Sequence, residues 1–153
     1  MGDTLDDTDR RILVALQQDA GQGLEALGER VGLSRNATWR RIRQLEDAGV
    51  IKARVALVEA QAVGLGLSVF IQVRTRRHDP EWLERFARAV RAIGEIQAAY
   101  RMSGDLDYLI RARVRDVAAY DRLYQRLIRD VDLSDVAASF VMEEIKETTA
   151  LPI

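Results

Sequence analysis

Apolar side chains at Ile12, Leu13 and Leu16 recur one and four residues apart, the spacing of one helix face. They predict a first helix from about Asp7 to Gln18. Asp6 followed by Asp9 places acid at its positive end in a capping arrangement. The run Ala20-Gly21-Gln22-Gly23 breaks the pattern. Leu24, Leu27 and Val31 then mark a short second helix, with Gly32 placed as its left-handed C-terminal cap. Ser34 can cap a third helix whose inward stripe is Thr38, Ile42 and Leu45. Gly49 closes that helix, and Val50 to Val58 alternates as a strand pair or wing.

Beyond Gly66 the period changes. Leu67 to Val73 is β-branched and aromatic, a strand. Asp79-Pro80 starts a helix with stripe Leu83, Phe86, Val90 and Ile93, running to Gly94. Ile96 to Met102 and Tyr108 to Val114 read as strands around the turn Ser103-Gly104-Asp105-Leu106. Asp116 caps a helix with Tyr120, Leu123, Leu127 and Ile128 on one side, and Val136 to Ile145 is a last strand. Strand, helix, strand, strand, helix, strand is the split, ferredoxin-like order. The fold class is therefore α+β, a winged helix-turn-helix followed by a ferredoxin-like βαββαβ sandwich. The expected domains are residues 1–53 and 65–153, with 54–64 as a linking strand or hinge. A four-stranded sheet with both helices on one face leaves the other apolar face to be covered, and a second copy of the chain would cover it.

Composition narrows the function. The chain has 153 residues, enough for one ordinary domain or two small ones, and 48% hydrophobic with 31% charged residues suits a globular protein. No apolar run approaches the roughly 20 residues of a membrane span, and Met1-Gly2-Asp3 opens on acid rather than a basic signal region. With no cysteine, disulfides, thiolate metal sites and cysteine nucleophiles are excluded, and no metal cluster, triad or phosphate loop is evident. A cytoplasmic address fits. Net charge is −1, yet Arg30 to Arg54 carries seven cations against two acids, a local +5. Segregated positive charge is the footprint of a polyanion.

A glycine-containing turn between two helices, the second one basic, is the helix-turn-helix pattern. Arg35, Asn36, Trp39, Arg40 and Arg43 lie away from the Thr38/Ile42/Leu45 stripe, where Arg can fork to guanine and Asn to adenine in the major groove of double-stranded DNA. Ser34 leads that helix in, and Arg41 and Lys52 are assigned to phosphates, which orient without specifying. Trp39 has two readings, packing on the rim of the core or touching a thymine methyl. Rim packing is the one expected.

The stretch Met102-Ser103-Gly104-Asp105-Leu106-Asp107-Tyr108 holds the second constellation. A tight turn explains Gly104 without any ligand, and on the residues alone the turn outweighs a site. It does not explain two carboxylates, Asp105 and Asp107, beside Met102, Ser103 and Tyr108. Acids next to turn amides can hold the ammonium and carboxylate of a small zwitterion.

The runs "DDTDRRIL", "VGLSRNATWRRIRQLEDAGVI", "SGDLDYLI" and "SFVMEEIKETTALPI" together resemble the Lrp/AsnC, or feast/famine, regulators over nearly the full chain. That resemblance implies homodimers assembling to octamers, with an amino-acid effector near the Gly-Asp-x-Asp turn between dimers and no other cofactor. It implicates Met102, Ser103, Gly104, Asp105, Asp107 and Tyr108, and from the start of the last strand Ser134, Asp135, Ala138, Ser139 and Phe140. "LEDAGVI", "GLGLSVFI", "YDRLYQRLI" and "ETTALPI" are most similar to the cysteine-responsive subgroup, which makes cysteine the first effector expected, then leucine, methionine or alanine. The recognition helix departs from that subgroup at Arg35-Asn36-Ala37-Thr38. Two other classes compete. An effector-independent architectural DNA-binding protein would share the basic helix. A sirohaem-decarboxylase-like enzyme on the same fold would want several histidines in a large pocket, whereas the single histidine here, His78, adjoins a helix cap.

Overall fold

A computed structural model describes residues 5–153; the acidic start Met1-Gly2-Asp3 lies outside them. The chain divides into two compact units, one formed by the described residues up to Leu57 with Lys146–Ile153, the other by Val58–Ile145.

The first unit holds helices α1 (Asp7–Gln18), α2 (Leu24–Val31) and α3 (Arg35–Asp47). Asp6 and Asp9 close a reciprocal capping box on α1, each side chain accepting from the other's backbone amide. Ile12, Leu13, Leu27, Val31, Ile42 and Leu45 form the buried core, and Thr38 is wholly buried beside them. Gly32 ends α2 at φ 74°, and Ser34 Oγ accepts from Ala37 N to start α3. Gly28 matters more than the periodicity suggests. A Cβ placed there would lie 2.6 Å from the Leu33 carbonyl oxygen and 3.0 Å from Thr38 Oγ1, so the α2–α3 turn closes only over a bare backbone. Gly28→Ala is expected to cost about 1–3 kcal/mol through this overpacking. A lowered urea midpoint of the intact chain checks it.

One expectation for this unit fails. Val50 to Val58 forms no strand: it pairs with none of the described strands, and Val55, Leu57 and Val58 stand in solvent. Residues 146–153, which follow the second domain along the chain, pack in the first compact unit. The reason is local pairing, since Leu151 N donates to Gln17 Oε1 (2.6 Å) and Gln17 Nε2 to the Leu151 carbonyl (3.2 Å).

The second unit runs β1 (Leu67–Arg74), α4 (Pro80–Ala92), β2 (Ile96–Arg101), β3 (Tyr108–Val114), α5 (Val117–Asp130) and β4 (Asp135–Phe140). The sheet is antiparallel with order β2-β3-β1-β4, the ferredoxin-like arrangement. Val69, Ile71, Val73, Tyr108, Ile110, Ala112 and Val114 face α4 and α5 and are buried. On α4 the inward stripe is Trp82, Phe86, Ala89 and Ile93, not one starting at Leu83, which is 40% exposed. Both sets have helical spacing; Trp82 wins because it buries more surface and its indole Nε1 donates to the Asp132 carbonyl at 2.8 Å. The last strand stops at Phe140 rather than Ile145, because its hydrogen bonding to β1 ends with Val141 N donating to the Ser68 carbonyl. The opposite sheet face is mixed rather than apolar, with Phe70 and Leu109 beside Gln72, Arg111 and Arg113, all partly buried except where strands end.

Candidate nucleic-acid interface and ligand site

On α3 the buried stripe Thr38, Ile42 and Leu45 turns Asn36, Trp39, Arg40 and Arg43 outward at spacings of three, four and seven. All four are exposed. Trp39, expected to pack on the rim, is 54% exposed instead, because the small residues Ala37 and Thr38 fill the places nearest the core. The cations differ in how far they are engaged. Arg40 and Lys52 are exposed and make no ion pair among the described residues. Arg35 Nε sits 3.2 Å from Glu25 and Arg43 Nη1 3.1 Å from Glu46, both pairs near the surface and easily exchanged for phosphate. Glu46 also receives Arg54 at 2.7 Å. Hydrogen bonds from Arg43 and then Arg54 hold the Glu46 carboxyl below its usual range against the opposing effect of desolvation.

Arg41 is different. Its Nη1 lies 2.7 Å from Asp6 Oδ2 and 2.8 Å from Asp9 Oδ1, and it flanks the buried stripe rather than the outward face. The Asp9 amide, then the Arg41 guanidinium, keep the Asp6 carboxyl below its usual value, while hydrogen bonds to Asp9 and Asp6 raise Arg41. Ser34, besides capping α3, accepts Thr38 Oγ1 on its carbonyl at 3.0 Å.

In the second unit the turn after β2 is closed by Met102 N donating to the Asp107 carbonyl at 2.9 Å, and Gly104 adopts φ 108°, a conformation that favours glycine. Its two acids have separate jobs. Asp107 N donates to the Val73 carbonyl, and Asp107 Oδ2 accepts Thr75 N at 2.8 Å, so this carboxylate is committed to holding the turn. His78 Nε2 stays 3.9 Å from Asp107 Oδ1. Asp105 is exposed, as are Met102, Ser103 and Gly104. Tyr108 does not join them. Its ring is buried, 4.5 Å from Phe86 and 5.7 Å from Trp82, because β3 points this residue at the helices.

Sequence reasoning missed the segment that joins the two halves of the site. Arg74, at the end of β1, donates from Nε to the Asp105 carbonyl (3.0 Å) and from Nη1 to Asp135 Oδ2 (2.7 Å). Ser134 N donates to the Arg74 carbonyl, and Ser134 Oγ accepts Arg76 N at 3.0 Å. The arginine run Arg74, Arg76, Arg77 beyond a strand was the available signal, since cations near three acids rarely stay unengaged. On β4 the alternation separates the remaining candidates. Asp135 and Ser139 are exposed, whereas Ala138 and Phe140 pack toward the core, Phe140 edge-on to Tyr120 at 5.3 Å. Ser139 and Ala138 therefore face opposite sides of the sheet and do not line one wall of a single-chain pocket.

The profile for the winged helix-turn-helix DNA-binding domain matches residues 5–52, and that for the Lrp/AsnC ligand binding domain matches residues 68–151. The chain belongs to the Lrp/AsnC family. It is 48% identical over 149 residues to the glutamate uptake regulatory protein of Zymomonas mobilis, covering 97% of this chain and 91% of that one. The AsnC family transcriptional regulator from Agrobacterium tumefaciens superposes with a TM-score of 0.93 at 46% identity, over 96% of each chain. The Neisseria meningitidis regulator NMB0573, solved as its L-Met complex, gives 0.93 at 39% identity over 97% of each. This Lrp/AsnC member is thus a transcriptional regulator with a DNA-binding and an amino-acid-binding domain. Its relatives are named regulators, and the enzyme alternative falls with that. No described helix is long and apolar enough to cross a membrane.

Proposed function

We propose that this regulator reads an operator with the outward face of α3 and adjusts that binding to one small amino acid held by the second unit. The observation that carries the DNA half is the face Asn36, Trp39, Arg40, Arg43: an exposed aromatic and three polar side chains on a capped helix held by a turn that tolerates no Cβ at Gly28. Asn36 and Arg40 address base edges, Trp39 a thymine methyl or sugar, and Arg35, Arg43 and Lys52 the flanking bases and phosphates.

For the effector half, Asp105 supplies an exposed carboxylate for the ammonium, and exposed Ser103 and Gly104 supply turn amides for the carboxylate. Ser139 on the opposite side of the site comes from a second copy, as does the cover for Phe70 and Leu109 on the mixed sheet face. The assembly is a homodimer and, by family resemblance, an octamer in the cytoplasm. Cysteine is the first effector to test on the residues that resemble the cysteine-responsive subgroup. Methionine stands beside it because NMB0573 was solved with it, with leucine and alanine next. The reading asks for no metal or organic cofactor.

The test is a panel of amino acids against the intact protein, following apparent melting temperature, sedimentation and binding to DNA flanking its own gene. A ligand that prefers the native state at 100 times its Kd adds about 2.7 kcal/mol and raises the midpoint. One or two small amino acids should do so and shift DNA affinity together. A protein that binds operator DNA yet ignores every amino acid is an architectural one.

A further inference from the structure

We infer that Arg41 is a positioning residue that fixes the recognition helix to the start of α1, and does not serve as a phosphate contact. The inference rests on the DNA-binding role of α3 proposed above. Asp6 and Asp9 sit 35 and 32 residues from Arg41 in sequence, yet one guanidinium nitrogen reaches both carboxylates at 2.7 and 2.8 Å. Each acid divides its oxygens. Asp6 Oδ1 accepts Asp9 N at 2.7 Å and Asp9 Oδ2 accepts Asp6 N at 3.4 Å, closing the capping box, while the other oxygen of each takes Arg41. The box that starts α1 is therefore also the receptor for a side chain of α3.

The cation is set apart from its neighbours on α3 by solvation. The Arg41 side chain retains 31% of its exposure, against 64% for Arg35 and 58% for Arg43, and its two acids retain 19% (Asp9) and 51% (Asp6). Exchanging acid for phosphate is nearly neutral for an exposed pair. For Arg41 it would leave two carboxylates uncompensated, part-buried Asp9 and more exposed Asp6, close to a polyanion that repels them. Arg41 also stands on the flank of the buried stripe, off the face carrying Asn36, Arg40 and Arg43. With its acids neutralised and α1 held to α3, the tilt of the reading face is set before DNA arrives.

The two roles differ in sign for one pair of substitutions. Asp6→Asn/Asp9→Asn keeps both helix-capping acceptors and removes only charge. If Arg41 were a phosphate contact, this variant would free it and tighten DNA binding, and Arg41→Ala would lower the salt slope by about 0.9. As a positioning device, Arg41→Ala and Asp6→Asn/Asp9→Asn each weaken operator binding on the order of tenfold, and the combined variant is no worse than either alone. The salt slope of Arg41→Ala stays at the wild-type value, and affinity for non-specific DNA falls far less than affinity for operator.

The measurement is Kd for operator and for non-specific DNA from 50 to 200 mM salt (roughly the span over which phosphate contacts separate), on intact protein shown folded by circular dichroism. Lys52→Ala serves as the phosphate-contact reference. A reduced slope for Arg41→Ala, tighter binding by the Asn pair, or an unchanged operator-to-non-specific ratio in folded variants overturns the inference. Wild type that shows no operator preference at all would instead overturn the DNA-binding reading beneath it.

Discussion

Arg40→Ala/Arg43→Ala should abolish operator recognition while leaving the fold intact. Both side chains point outward from α3, and neither contributes to the Ile12/Leu27/Ile42 core, so circular dichroism and melting should stay near wild type. Arg40 is the least engaged cation on the helix and is free to fork to a guanine edge. Arg43 must only loosen a surface pair with Glu46. A good bidentate contact to a base is worth about 1–3 kcal/mol, so losing both costs on the order of 100-fold at the preferred site. Competition binding against scrambled DNA reads the effect. Wild-type operator affinity in the double variant would remove α3 from the interface.

Asp105→Ala should silence the amino-acid response with ligand-free DNA affinity near wild type. The side chain is exposed and the turn does not depend on it: the hydrogen bond to Arg74 uses the Asp105 carbonyl, which alanine retains. Asp107 is the opposite case. Its carboxylate holds Thr75 N, so Asp107→Ala should loosen the turn itself and cost stability as well as ligand. Losing one charged hydrogen bond to the ammonium corresponds to about 1.5–3 kcal/mol, roughly tenfold to hundredfold in ligand affinity. Isothermal titration with whichever amino acid raises the midpoint gives the number. Coupling is reciprocal, so the factor by which that amino acid shifts DNA affinity must equal the factor by which DNA shifts its own. An Asp105→Ala protein that responds normally would place the effector elsewhere.

The contrast between these two acids marks where sequence reasoning stopped. Asp105 and Asp107 look alike in the string, two residues apart in one turn. What separates them lies more than 30 positions earlier, where the Thr75 amide just past β1 claims one and the Arg74 guanidinium takes only the backbone of the other. Ala138 and Ser139 are likewise neighbours in the string that the pleat turns to opposite faces of the sheet.

Local order was legible because it is enforced locally. The helices α1, α2 and α3, their caps at Asp6, Gly32 and Ser34, and strands β1 and β3 follow from spacing and capping chemistry acting over a few residues. So does the outward set Asn36, Arg40 and Arg43, which a helix must present once Thr38, Ile42 and Leu45 turn inward. Tertiary structure decided what depended on a distant partner. It turned Trp82 of α4 inward through the Asp132 carbonyl, and left 50–58 outside the sheet. It sent residues 146–153 to Gln17 and turned Arg41 from a free cation into the mate of Asp6 and Asp9. A charge or a hydrogen-bonding group in a sequence states what it can bind, and only packing decides which of several candidates comes within 3 Å of it.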